Sequence, residues 1–188
     1  MDLRVEQGTL LAAWPDLADP NFKHSVVLMC QHNSEGAYGL VINRPTDFTV
    51  GSLLPDHAVL SKLNFPIHLG GPVGHEAMQI VHTVPDALPG GAALTDELWI
   101  GAELDALGEY ISADPERALR HVRLFIGYSG WAAGQLEAEL AMGSWVPAPF
   151  DCPVVFEDGV FSTWKRVVRS VGKDGIELGS LPPDVNLN

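Results

Sequence analysis

Cysteine is scarce in this chain: Cys30 and Cys152 are the only two among 188 residues, too few for a disulfide framework. Both stand in apolar settings, which fits a reducing compartment. Basic residues are scarce as well. Eleven Lys and Arg against 24 Asp and Glu give a formal net charge of −13, which repels phosphate backbones and anionic lipid surfaces and opposes direct DNA binding. No apolar run approaches the ~18 residues of a membrane span, and the opening residues, with Asp2 and Glu6 around a single Arg4, do not read as a signal peptide. The expectation is a cytoplasmic protein with no membrane association.

Several chemical signatures are missing too. There is no His-Glu-x-x-His and no paired Cys-x-x-Cys. His68, His75 and His82 recur every seven residues, but Gly70, Gly71 and Pro72 would break any helix that gathered them. Gly70-Gly-Pro-Val-Gly74 lacks the Lys-Ser/Thr of a phosphate loop, and no Gly-x-Gly-x-x-Gly follows a strand. Neither a metal nor a cofactor is expected.

What remains is a chain with 46% hydrophobic residues, enough to build a core, and a length that suits one domain over residues 1–188. Its 19 Gly and 14 Pro are scattered as single breaks and form no linker. The first third reads as strands over 8–14, 25–31 and 37–43. Along the second of these, Val26, Leu28, Cys30 and His32 fall on one face and Ser25, Val27, Met29 and Gln31 on the other. Both faces are partly apolar, so this strand is predicted inside a sheet. Further short strands are predicted over 67–69, 77–82, 94–100 and 122–126. Helical spacing joins Leu104, Leu107 and Ile111, and Asp114 is placed to cap a helix with Pro115 at its first position. A turn is predicted over 127–131, then a helix over 135–142 stopped by Gly143, and an amphipathic helix through Trp164, Val167, Val168 and Val171. Strands first and helices later, without a βαβ rhythm, indicate an α+β fold.

Cys30 and His32, two apart on a strand, would point the same way, and an imidazole beside a thiol favours the thiolate; a buried apolar cysteine is the simpler account. Ser129 in Gly127-Tyr-Ser-Gly-Trp131 resembles a hydrolase nucleophile elbow, but Trp131 stands where the second glycine is required. No catalytic residue is assigned. Arg117, Arg120 and Arg123, and Lys165, Arg166, Arg169 and Lys173, read as solvated basic patches open to an acidic partner. Arg44, held extended by Pro45, can meet an anion, or pair with a carboxylate while Asn43 satisfies a turn. Gln135 and Glu137 can orient a ligand or cap their helix.

Taken together, Pro15-Asp-Leu-Ala-Asp-Pro-Asn-Phe22, Cys30-Gln-His-Asn33, Gly36-Ala-Tyr-Gly39, Ile42-Asn-Arg-Pro45, Gly70-Gly-Pro72, Gly127-Tyr-Ser-Gly-Trp131, Gly134-Gln-Leu-Glu137 and Trp145 resemble the YqgE/AlgH family of bacterial proteins. The resemblance implies a compact α+β domain whose mixed, bifurcated sheet folds toward a pseudo-barrel with a few flanking helices. It also implies a cytosolic location and supplies no established catalytic residues. Some members are labelled transcriptional regulators, although no DNA-reading motif carries over to this chain. The expected role is regulatory binding of a protein or small molecule, with His32, Asn43, Arg44, Tyr128 and Gln135 as candidate binding residues. An enzyme using a crevice where those five meet, and a self-associating assembly protein, are the alternatives.

Overall fold

The computed structural model describes residues 4–15, 17 and 19–172. Its strands are β1 (Leu10–Ala13), β2 (Val26–Asn33), β3 (Gly36–Val41), β4 (Pro45–Thr49), β5 (Pro66–Leu69), β6 (Val73–His82), β7 (Ala92–Ala93), β8 (Trp99–Ile100), β9 (Val122–Ala132) and β10 (Trp145–Ala148). The helices are α1 (Val50–Leu53), α2 (Leu104–Ala113), α3 (Pro115–His121), α4 (Gln135–Ala141), α5 (Cys152–Val155) and α6 (Val160–Ser170). Of the 127–131 turn expected from the sequence, nothing remains: the segment continues β9 without a break. The strand expected over 94–100 shrinks to β8, because Leu94 and Thr95 donate their N–H groups back to the Leu98 carbonyl and close a turn. Asp114 caps α3 as expected, its Oδ1 accepting from the Arg117 N–H at 2.9 Å, with Pro115 in the first turn.

The strands form one curled sheet in the order β10-β1-β2-β3-β9-β6-β8-β7, a half-barrel flanked by helices. Its fork lies on β9. One edge of β9 pairs first with β5, in parallel, through Leu124–Ile126, and then with β3, antiparallel, through Ser129–Ala132. The expected mixed, bifurcated sheet is therefore present, and the α+β class holds. Gly71 and Gly127 make the fork sterically feasible: a Cβ on Gly71 would run into the Tyr128 backbone, and one on Gly127 into the Gly71 carbonyl. Ser129, in the same segment, is fully buried and donates to the Gly70 carbonyl at 3.2 Å, so it serves the fork and not an exposed elbow.

Three apolar clusters hold the sheet. On one face Leu28, Leu40 and Phe125 pack under Trp164 and Val168 of α6. On the other face of the same strands Val27, Met29 and Trp131 pack under Leu136 of α4, beside Trp145. The third cluster lies where β5 and β9 meet α2, with Ile67, Leu124 and Leu107 at its centre. The strand β2 thus buries both faces, as its sequence predicts. Among the described residues no helix is long and apolar enough to cross a membrane.

Candidate functional site

A β-bulge decides how β2 presents its side chains. Met29 pairs with Gly39 and Gln31 with Tyr38, so Cys30 is the extra residue between two consecutive pairs. Simple alternation would keep Cys30 and His32 together; the bulge separates them. Cys30 joins the cluster beneath α6, close to Tyr38. His32 pairs with Ala37, whose side chain belongs to the α4 cluster on the opposite face. Burial pushes the Cys30 thiol up to about 12, against a lowering by its hydrogen bonds with Tyr38 and the Leu40 backbone. The imidazole thus faces away from the thiol, and burial alone dominates Cys30.

On its own face His32 is held from two sides. Its Nδ1 lies 2.9 Å from the Val5 carbonyl and its Nε2 2.9 Å from Glu137 Oε1 on α4. Both partners are acceptors, so only the doubly protonated ring satisfies both. Its pKa is raised accordingly, chiefly by the Val5 bond and also by Glu137, while desolvation opposes. The Glu137 carboxyl is correspondingly lowered, first by its own backbone N–H and then by His32. The segment bearing Val5 is itself anchored to β2, since Gly8 N–H donates to the Met29 carbonyl and Met29 N–H to that of Thr9.

His32, Glu137 and Val5 line a cavity of about 720 Å³, together with Arg4, Leu140 and Trp145. Trp145 also borders a smaller cavity of about 290 Å³, which Phe22, Trp131, Gln135 and Glu139 line. The wall between is cross-linked by hydrogen bonds. Trp131 and Trp145 donate their indole N–H groups to the same Glu139 oxygen, at 2.9 and 2.8 Å, and Gln135 Nε2 donates to the other oxygen at 3.0 Å. An apolar indole beside charged groups of both signs suits a small molecule with an apolar body and a polar head.

The other sequence candidates lie apart from this cavity. Asn43 is buried; it accepts from the Val26 N–H and donates to the His24 and Val160 carbonyls, tying β2 to α6. Arg44 donates to the Pro20 and Lys23 carbonyls; burial lowers its pKa, and the Asp19 charge opposes that lowering by favouring the cation. Tyr128 stacks edge-on against Tyr38 on the α6 side. Gln135 lines the smaller cavity, its Oε1 also accepting from the Ala132 N–H. The five do not converge on one crevice. Arg123, read from sequence as part of a solvated basic patch, is instead buried and bonded to Asp158, and Lys173 lies outside the described residues. Among the described residues no group of three or more His, Cys, Asp or Glu side chains is placed to hold a metal ion. Sequence reading passed over Val5 and Arg4, which the sheet brings beside His32, and Glu139, whose partners Gln135, Trp131 and Trp145 stand near it along the chain.

The family model described as DUF179, AlgH-like, matches residues 10–175. The chain belongs to the AlgH-like family. It is 36% identical to the UPF0301 protein CT0663 of Chlorobaculum tepidum over 98% of this chain and 96% of that protein. With the UPF0301 protein VV2869 of Vibrio vulnificus it shares 38% identity, over 89% of this chain and 92% of the relative. The solution structure of the AlgH protein from Pseudomonas aeruginosa superposes with a TM-score of 0.71 at 29% identity, covering 98% of this chain and 100% of that one. Protein DIP2367 of Corynebacterium diphtheriae shares the fold, with a TM-score of 0.77 at 22% identity over 95% and 94% of the two chains. The AlgH-like blocks Gly70-Gly-Pro72 and Gly127-Tyr-Ser-Gly-Trp131 are the two sides of the sheet fork, which accounts for Gly70, Gly71 and Gly127.

Proposed function

We propose that this AlgH-like protein is a cytoplasmic binding protein that exerts a regulatory influence through a small ligand taken up in the His32 cavity, and not through direct DNA readout. The observation that carries this reading is the placement of His32, fixed by Val5 and Glu137, in the wall of a cavity of about 720 Å³ beside the Trp145 indole. Fixed polar groups next to an apolar wall are what a small-molecule site needs. The net charge of −13 supports the second half of the proposal, since no overall attraction draws the chain to phosphate.

Native mass spectrometry of gently purified protein tests the reading. A retained small molecule is expected, with its binding quenching or shifting Trp145 fluorescence and weakening in His32→Ala. Loss of that response in Trp145→Phe would assign the signal. A protein that retains nothing, yet retards duplex DNA sequence-selectively at physiological salt, would overturn it.

A further inference from the structure

A third cavity, of about 240 Å³, shares no lining residue with the His32 site. Its apolar walls include Phe65, Leu119 and Val122, and its polar lining is Arg123, His68 and Asp158. Arg123 and His68 are each 5% exposed. They meet because β5 and β9 run in parallel register, which sets His68 opposite Phe125, two residues along from Arg123.

Arg123 is a buried cation with spare donors. Its Nη1 donates to the Ile42 and Glu157 carbonyls, at 3.0 and 2.9 Å, and its Nη2 to Asp158 Oδ1 at 3.0 Å. These bonds leave guanidinium N–H groups over for another acceptor. Among the described residues the one carboxylate it meets belongs to a side chain that is 92% exposed, so water already screens much of the compensating charge. Beside it, His68 Nδ1 is buried without any hydrogen-bond partner, an arrangement that costs free energy until something fills it. Burial first, and then the Arg123 charge, lower the His68 pKa to about 4, against a raising by Asp158 and the Leu124 backbone, so the ring is neutral at neutral pH; in the tautomer that carries its one N–H on Nδ1 it donates into the cavity.

The geometry points to a second binding site in this cavity, for a small carboxylate with an apolar body, its carboxylate accepting from Arg123 and His68 Nδ1 while the body packs against Phe65 and Leu119. A carboxylate matches the planar donor set of a guanidinium, and a monoanion answers one under-compensated cation. The volume limits the guest to the size of a single ring or a short branched chain. Asp158, at the mouth, competes for Arg123 and swings into water when a guest enters.

Benzoate and its neutral isostere benzamide are suitable probes, followed by NMR through the His68 ring nitrogens and the Leu119 and Val122 methyl groups at constant ionic strength. Benzoate is expected to shift these signals saturably, and benzamide to leave them in place at the same concentrations. Arg123 also supports two backbone carbonyls, so the variants avoid it. Asp158→Asn removes the internal competitor and should tighten benzoate about two- to fivefold, in keeping with the small worth of an exposed pair. Leu119→Glu, on the exposed side of α3, should abolish the response by placing a like charge at the entrance. Equal responses to the two probes, no response to benzoate, or unchanged or weaker binding in Asp158→Asn would each overturn the proposal.

Discussion

Trp164 on α6 donates its indole N–H to the carbonyl of Ala13 on β1, 151 positions earlier, at 2.8 Å within the buried core. This bond and the packing around it close the half-barrel from the side of the last helix. Trp164→Phe removes the donor and leaves the Ala13 carbonyl without this partner, at an expected cost of about 1–3 kcal/mol. Urea unfolding followed by circular dichroism measures it, and a change within error would mean that the carbonyl finds water instead.

The Glu139 carboxylate joins two indoles and Gln135, so its removal reaches several partners at once. Glu139→Ala is expected to destabilise the protein by about 1–3 kcal/mol and to alter the near-ultraviolet spectrum of the Trp131–Trp145 pair. Glu139→Gln keeps one acceptor oxygen and should recover part of the loss.

The His32–Glu137 contact should give a pH-dependent tether between β2 and α4. His32 is raised above 6.5, so its contribution is complete below 6.5 and is lost as pH rises through the folded value. Glu137 is lowered below 4.5, so its contribution is present above 4.5 and is lost as pH falls through the folded value. The two overlap fully between 4.5 and 6.5. An NMR titration should place the His32 midpoint above 6.5, and Glu137→Gln should move it downward. A midpoint unaffected by that substitution would mean that Val5 alone sets it.

Cys30 should be inert in the folded protein. Its thiol, pushed up to about 12 by burial, offers almost no thiolate, and 6% exposure leaves little access. Labelling with iodoacetamide is expected only on unfolding. Cys152, half-buried and raised to about 11, should label slowly before Cys30 does. Rapid native labelling of Cys30 would show that the β2 bulge opens.

Much of the architecture was legible in the sequence because it depends on neighbours along the chain. Apolar residues on both faces of 25–31 predict a strand inside a sheet, Asp114-Pro115 predicts a helix start, and the spacing of Trp164, Val167, Val168 and Val171 predicts an amphipathic helix. The 127–131 segment reads as a turn for the same local reason: its glycines are ordinary turn residues, whereas here Gly127 lets two backbones pass at the sheet fork.

The amino-acid sequence by itself determined most of the longer elements, the net negative charge and the family, since propensity, capping and composition act over a few residues. Only the tertiary structure decided which side chains meet. The bulge at Cys30 turned His32 to the opposite face, and the parallel pairing of β5 with β9 brought His68 to Arg123. Strand register is set by the packing of whole faces against distant partners, and a shift of one residue reverses every side chain beyond it.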